Sequence, residues 1–165
     1  MDIVILGAGQ AAASLAAKLR ALGSGDAITI IGDEAAPPYQ RPPLSKGYLL
    51  GQMPLDRLTL RADGWWQEQG IRLLTGTRAT AIDPVARIVE TSAGPVRYDQ
   101  LALMLGAAPR RLPADLGGDL GGVHSIRGLA DIARLQPELT RGRILVVIGG
   151  GYMGLEAAAV AAKLG

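Results

Sequence analysis

The chain has 165 residues, a formal net charge of +2 (17 basic, 15 acidic), 23 glycines, one histidine and no cysteine or phenylalanine. So even a charge balance makes no case for nucleic acid or an anionic membrane surface, and 48% hydrophobic residues are too many for intrinsic disorder. Zero cysteine removes disulfides, thiolate metal sites, iron–sulfur ligation and CxxC redox centres, and one histidine leaves little for a Ser-His-Asp triad or a His-based metal site. No metal is expected, and the chemistry that remains is that of a bound cofactor.

In chain order, residues 2–6 (DIVIL) form a continuous β-branched apolar run, as expected of a parallel strand covered on both faces. Residues 9–22 are rich in Ala and Leu, carry Lys18 and Arg20 late and are stopped by Gly23 and Gly25, which predicts a helix. Residues 27–31 (AITII) predict a second strand and complete a βαβ unit. Pro37, Pro38, Pro42 and Pro43 keep the next segment extended, and a short helix is expected at about residues 44–50. Residues 63–69 read as another short helix ended by Gly70, followed by a strand at 71–74. Period-two strands are expected at 78–82, 87–91 and 96–98, with residues 92–95 turning between the last two. The wholly apolar run 101–105 reads as a return to a central sheet, and 110–122, with Pro113 and four glycines, as a linker. Residues 129–139 are expected to be helical, with Pro137 weakening the end. Residues 144–148 (ILVVI) then predict another buried parallel strand and 152–164 a helix. Strand, glycines and Ala-rich helix thus occur at both ends of the chain.

Two apolar stretches, 3–17 and 144–162, could pass for export or membrane segments. Asp2 stands where a signal peptide needs positive charge, and the second stretch carries Glu156 with Gly149, Gly150, Gly151 and Gly154. Both therefore read as buried strand–turn–helix units of a soluble, cytoplasmic protein.

Gly7-Ala8-Gly9-Gln10-Ala11-Ala12 matches GxGxxG/A between the first strand and the first helix. Gly7 makes the tight turn, Gly9 lets the backbone approach a pyrophosphate, Ala12 keeps the helix close to the sheet, and the helix N-terminus faces the anion. An acidic residue ending the second strand should hold the ribose. Asp33 and Glu34 both fall there, about 26 residues past Gly7. This pattern leaves FAD and NAD open. Gly149-Gly150-Gly151-Tyr152-Met153-Gly154 is a second GxGxxG.

The segment Pro38-Tyr39-Gln40-Arg41-Pro42-Pro43-Leu44-Ser45-Lys46 is more specific than either glycine motif. Together with Gly7–Ala12, Gly32-Asp33-Glu34, Tyr98-Asp99 and the run from Val147 to Glu156, it resembles the FAD-dependent ferredoxin and rubredoxin reductase family. That family is the flavin-only branch of the pyridine nucleotide-disulfide oxidoreductase superfamily and is related to apoptosis-inducing factor. The absence of a redox-active Cys pair agrees with this branch. The fold implied is α/β: a Rossmann-like FAD-binding half-domain with an inserted antiparallel β segment, residues 1–112, then the start of a second Rossmann-like, NAD(P)-binding domain, residues 113–165.

The resemblance implies roles residue by residue. Gly7, Gly9, Gln10, Ala11 and Ala12 surround the FAD pyrophosphate; Asp33, with Glu34 as the alternative, takes the adenosine ribose. Arg41 faces the phosphates and Lys46 lies beside the flavin ring. The backbone of Ala79 contacts adenine, and Arg127 reaches the cofactor. Gly106 keeps the turn after the return strand, where Met104-Leu105-Gly106 replaces the family's usual Ala-Thr-Gly. Gly149, Gly151, Tyr152 and Gly154 bind the NAD(P)H pyrophosphate. Glu156, read as sitting in the first helical turn where a carboxylate suits the dipole, is implied to approach the flavin and pair with Lys46 as the catalytic ion pair. The residue that selects NADH or NADPH should lie about 20 residues beyond the second fingerprint, past residue 165.

The implied activity passes electrons from NAD(P)H through FAD to a ferredoxin- or rubredoxin-like iron–sulfur carrier, with no nucleic-acid or membrane partner. The second fingerprint has only its strand and its helix before residue 165, so the chain is expected to be the N-terminal portion of such an oxidoreductase, inactive alone, with a complementary chain or oligomer covering its open end. The alternatives are a non-catalytic nucleotide-binding remnant and one half of a split flavoprotein; a simple dehydrogenase with one Rossmann motif is opposed by RPPLSK and the second glycine motif. Trp65 and Trp66 are expected to be one core residue and one half-exposed neighbour, Arg110 and Arg111 a solvated pair, and His124 structural.

Overall fold

The apolar run Asp2–Leu6 forms strand β1, and its neighbours explain why it is apolar throughout. It pairs in parallel with β2 (Ala27–Ile31) on one side and β7 (Gln100–Leu103) on the other, and β3 (Ile71–Leu74) extends the sheet beyond β2, in the order β3-β2-β1-β7. Successive side chains of a strand point to opposite faces. Ile5, Ile28 and Ile30 pack on helix α1 (Gln10–Ala21) through Ala12, Ala13 and Ala16, with Trp66 and Ile71 in the same cluster. Each such isoleucine, fully buried, contributes about 1.5–3 kcal/mol. Val4, Leu6 and Ile31 face the other way, onto Val89. Val89 belongs to a separate antiparallel sheet of β4 (Ala79–Asp83), β5 (Ile88–Thr91) and β6 (Val96–Arg97). A sheet clothed by helix on one side and β meander on the other buries both faces of β1.

The computed structural model describes residues 1–62 and 64–165. The chain divides into two units: Met1–Gln40 with Thr59–Gly106, and Arg41–Leu58 with Ala107–Gly165. Both sheets belong to the first. There, the helix expected over 63–69 appears as α2 (Trp65–Glu68); Asp63 lies outside the described residues. Trp66 is buried and Trp65 half-buried, edge to face with ring centroids 5.0 Å apart, and the Arg61 guanidinium lies 5.0 Å from the Trp65 centroid. Arg20, late in α1, donates to the carbonyls of Ser24, Asp26, Gln69 and Gly70, tying the end of that helix to the end of α2.

In the second unit, the expected helix at 44–50 is instead a 3-10 turn, Pro42–Ser45. Two adjacent prolines bring no amide donors; Leu44 N–H to Arg41 O (2.9 Å) and Lys46 N–H to Pro43 O (3.0 Å) each span three residues, and the turns that follow mix spans, with Tyr48 N–H to Pro43 O and Leu50 N–H to Lys46 O, both 3.0 Å. The turn packs on α3 (Leu129–Leu135) and α4 (Tyr152–Leu164). Helix α3 stops short of the expected residue 139, because Pro137 converts its continuation into a 3-10 turn at Gln136–Glu138. The largest departure is residues 144–148, expected as a buried strand. They join no ladder among the described residues, and Ile144, Val146 and Ile148 are 94%, 77% and 76% exposed. A strand is made by the strands beside it, and none pairs with this run among the described residues. No helix there is long and apolar enough to cross a membrane.

Candidate functional site

The first glycine turn is built against the sheet end. Gly7, at φ +101°, donates its N–H to Ile31 O (2.8 Å), while Met104 N–H donates to Leu6 O (2.7 Å). A Cβ on Gly7 would stand 2.2 Å from the Met104 carbonyl oxygen, so no side chain fits. Gly9 is different: no described atom lies within 4 Å of a Cβ placed there, and its φ of −98° suits any residue. Its freedom is room for something to approach the backbone. Gly9 caps α1, which among the described residues has no side-chain cap and no acidic residue in its first turn. The helix therefore directs unclaimed N–H groups and a positive dipole end at that open space, which fits an anion. Gln10 and Ala11 are exposed beside it, whereas Ala12 is fully buried against the sheet.

At the end of β2, Gly32 approaches Ala8 so closely that a Cβ would meet the Ala8 Cβ at 2.4 Å. The two acidic residues that follow have separate fates. Tyr39, itself buried, donates its hydroxyl to Glu34 Oε2 at 2.5 Å; Asp33 is 61% exposed and, among the described residues, makes only a loose contact to Arg78 at 3.8 Å. Asp33 is the carboxylate left available to a ligand. Ala79 starts β4, half-buried and in the same antiparallel sheet as Val89, and Gly106 adopts φ +66° after β7. The Met104-Leu105-Gly106 turn thus keeps its glycine conformation, and its first residue supplies the carbonyl that crowds Gly7.

In the second unit, the structure brings together three residues of the RPPLSK segment and its partners. Arg41 donates to Arg127 O at 2.7 Å, and the Arg127 and Gly128 amides in turn donate to Asp131 Oδ2 at 3.0 and 2.9 Å. Lys46 Nζ lies 3.1 Å from Glu156 Oε1, and Ser45 donates its hydroxyl to Glu156 Oε2 at 2.5 Å. The Ser45 hydrogen bond first, and Lys46 second, hold the Glu156 carboxyl below its ordinary value. Glu156 does not sit in the first turn of α4 as expected. The helix starts at Tyr152, so its fifth residue lies one turn in, where partners rather than the dipole govern it.

The second glycine turn repeats the logic of the first. Gly151 caps α4 with no side-chain cap among the described residues, and Gly149 (φ +112°), Gly150 and Gly151 have no described atom within 4 Å of an added Cβ. Gly154 is the packing glycine: a Cβ there would meet Gly149 O at 2.4 Å. Tyr152 is exposed at the head of the helix. His124 Nε2 lies 3.1 Å from Glu138 Oε1, away from both turns along the chain, and Arg110 and Arg111 are exposed. Ser45, Tyr39, Met104 and Asp131 had no assigned role. Ser45 and Tyr39 lie inside the quoted motif, but their partners, 111 and 5 residues away, are set by folding.

Two uncapped helices entered through glycine turns, one behind a parallel sheet, with an exposed carboxylate after the second strand, define a dinucleotide-binding protein. The model of the pyridine nucleotide-disulphide oxidoreductase family matches residues 1–165, and the chain belongs to that family. It is 43% identical over 165 residues to a ferredoxin–NAD(P)(+) reductase of a Sphingomonas species, covering 99% of this chain and 40% of that protein. It is 42% identical over 166 residues to rhodocoxin reductase of Rhodococcus erythropolis, covering 100% of this chain and 39% of that protein. Among solved structures, the covalent putidaredoxin reductase–putidaredoxin complex superposes with a TM-score of 0.90 at 39% identity, over 99% of this chain and 40% of the matched one. The chain therefore spans about 40% of the length of these curated relatives.

Proposed function

We propose that this chain supplies the FAD-binding turn and the opening of the nicotinamide-binding region of an FAD-dependent NAD(P)H:ferredoxin or rubredoxin reductase, divided at residues 1–112 and 113–165. The observation that carries the reading is the first glycine turn, where Gly9 is open and the uncapped α1 points at the opening. Gly7, Gly9, Gln10, Ala11 and Ala12 hold the pyrophosphate in this reading, Asp33 the ribose and Ala79 the adenine, with Gly106 shaping the adjoining turn. Arg41, Lys46 and Arg127 serve the same cofactor, and Gly149, Gly151, Tyr152 and Gly154 take the nicotinamide dinucleotide. FAD, when bound, supplies the conversion between two-electron and one-electron transfer. The protein's share is to bind through backbone amides, to accept the ribose hydroxyls on Asp33, and to present the Lys46 ammonium from the Glu156 carboxylate. The electron acceptor proposed is an iron–sulfur protein, in keeping with the names of the relatives.

The test is equilibrium dialysis of the purified chain against FAD, with the visible spectrum as readout. Gly9→Val should retain the circular dichroism of the parent, because the added Cβ meets nothing, yet lose FAD. Equal FAD retention by both proteins, or none by the parent, would overturn the assignment of this turn to FAD.

A further inference from the structure

The Lys46–Glu156 pair is half open to water, with side chains 53% and 28% exposed, so the pair contributes little to stability. Its value lies in where it holds the ammonium. A lysine ammonium is a point charge on a flexible stem with three rotatable donors, and a lone carboxylate can meet it with either oxygen. Ser45 removes that freedom. It ends the 3-10 turn that Pro42 and Pro43 stiffen, it is 3% exposed, and its hydroxyl takes Glu156 Oε2 at 2.5 Å. Oε1 faces Lys46, the next residue in the chain, at 3.1 Å. One carboxylate on the second turn of α4 is thereby divided between a buried neutral donor and an exposed charged one.

We propose that Ser45 is a positioning residue: by occupying Glu156 Oε2, its hydroxyl fixes the orientation of the carboxylate and, through it, the place of the Lys46 ammonium. The inference rests on the flavoprotein reading only for what that ammonium is placed to do; the arrangement itself belongs to this chain's own side chains. The same hydrogen bond is the leading cause of the lowered Glu156 titration, so losing it should be visible there as well.

The experiment uses the full chain without flavin, so that failure to bind FAD and failure of this proposal are separate results. Acylation of Lys46 is followed by mass spectrometry against the other two lysines, Lys18 and Lys163, as internal references. The Glu156 carboxyl is titrated by carbon-13 NMR. Ser45→Ala should raise the Glu156 midpoint and increase Lys46 acylation relative to both references by about twofold to threefold, the scale of one exposed pair interaction. Glu156→Gln should also speed Lys46, and adding Ser45→Ala to it should change nothing further. An equal effect of Ser45→Ala in both backgrounds makes Ser45 a packing residue and overturns the proposal. An unchanged midpoint and rate, or loss of helical circular dichroism in Ser45→Ala, overturns it too.

Discussion

The two glycines of the first turn serve different ends, although they stand two positions apart in one motif. Gly7 is required by the fold: a Cβ meets the Met104 carbonyl at 2.2 Å, at a φ that L-residues rarely adopt. Gly7→Ala is expected to cost about 2–3 kcal/mol, read as a drop in the urea midpoint, while Gly9→Ala should unfold within error of the parent. Glu156 gives a residue-scale prediction with a definite sign. Its folded titration lies below its ordinary value, so the stability it brings is present above the unfolded carboxyl value and is lost as pH falls through the folded one. The difference in melting temperature between the parent and Glu156→Gln should therefore be largest near neutrality and shrink in acid. A difference that grew on acidification would contradict the arrangement with Ser45 and Lys46. The motif letters named Lys46 and Glu156, and the structure sets them 3.1 Å apart. Ser45 stands between two named residues of the same motif, yet no local pattern states that a buried serine hydroxyl will find a carboxylate 111 residues on.

At the scale of elements, apart from the strand expected at 144–148, the strands and long helices were legible to within two residues, because period and composition set them. Helix α4 occurs at the expected Tyr152–Leu164, and β1 and β2 at their expected bounds. The short elements were not, since proline and neighbours decide them. Pro42 and Pro43 turned an expected helix into a 3-10 turn, and Pro137 cut α3 at Leu135. The start of α3 is held by Asp131, whose carboxylate accepts the Arg127 and Gly128 amides. Asp131→Ala should cost about 1 kcal/mol by chemical denaturation, with Asp131→Asn recovering part of it. The Arg127 carbonyl accepts from Arg41, so the same loss should loosen the segment that presents both arginines.

For the whole molecule, the two glycine-turn units differ in what surrounds them. In the first, β1 has partners on both edges and cover on both faces. In the second, the β-branched run 144–148 stands without a ladder among the described residues, and its backbone groups and apolar side chains are offered to any neighbour. Light scattering of the purified chain should show association that rises with concentration, and Val146→Lys, at a 77% exposed position, should reduce it without lowering the melting temperature. Association insensitive to that charge would mean that another surface is responsible.

The sequence by itself determined the family, the order of strand, glycine turn and helix at both ends, and the separate jobs of core and turn residues. These are properties of neighbours along the chain: hydrophobic period, φ preferences and the missing Cβ of glycine act over a few residues. Only the tertiary structure decided which carboxylate after β2 remains available, Glu34 being taken by Tyr39. It alone showed that the Met104 carbonyl is what forbids a side chain at Gly7, and that Ser45 shares Glu156 with Lys46. The same is true of residues 144–148, whose composition is that of a buried strand. Burial and pairing are relations between distant segments, and a strand-forming run becomes a strand only where another strand lies beside it.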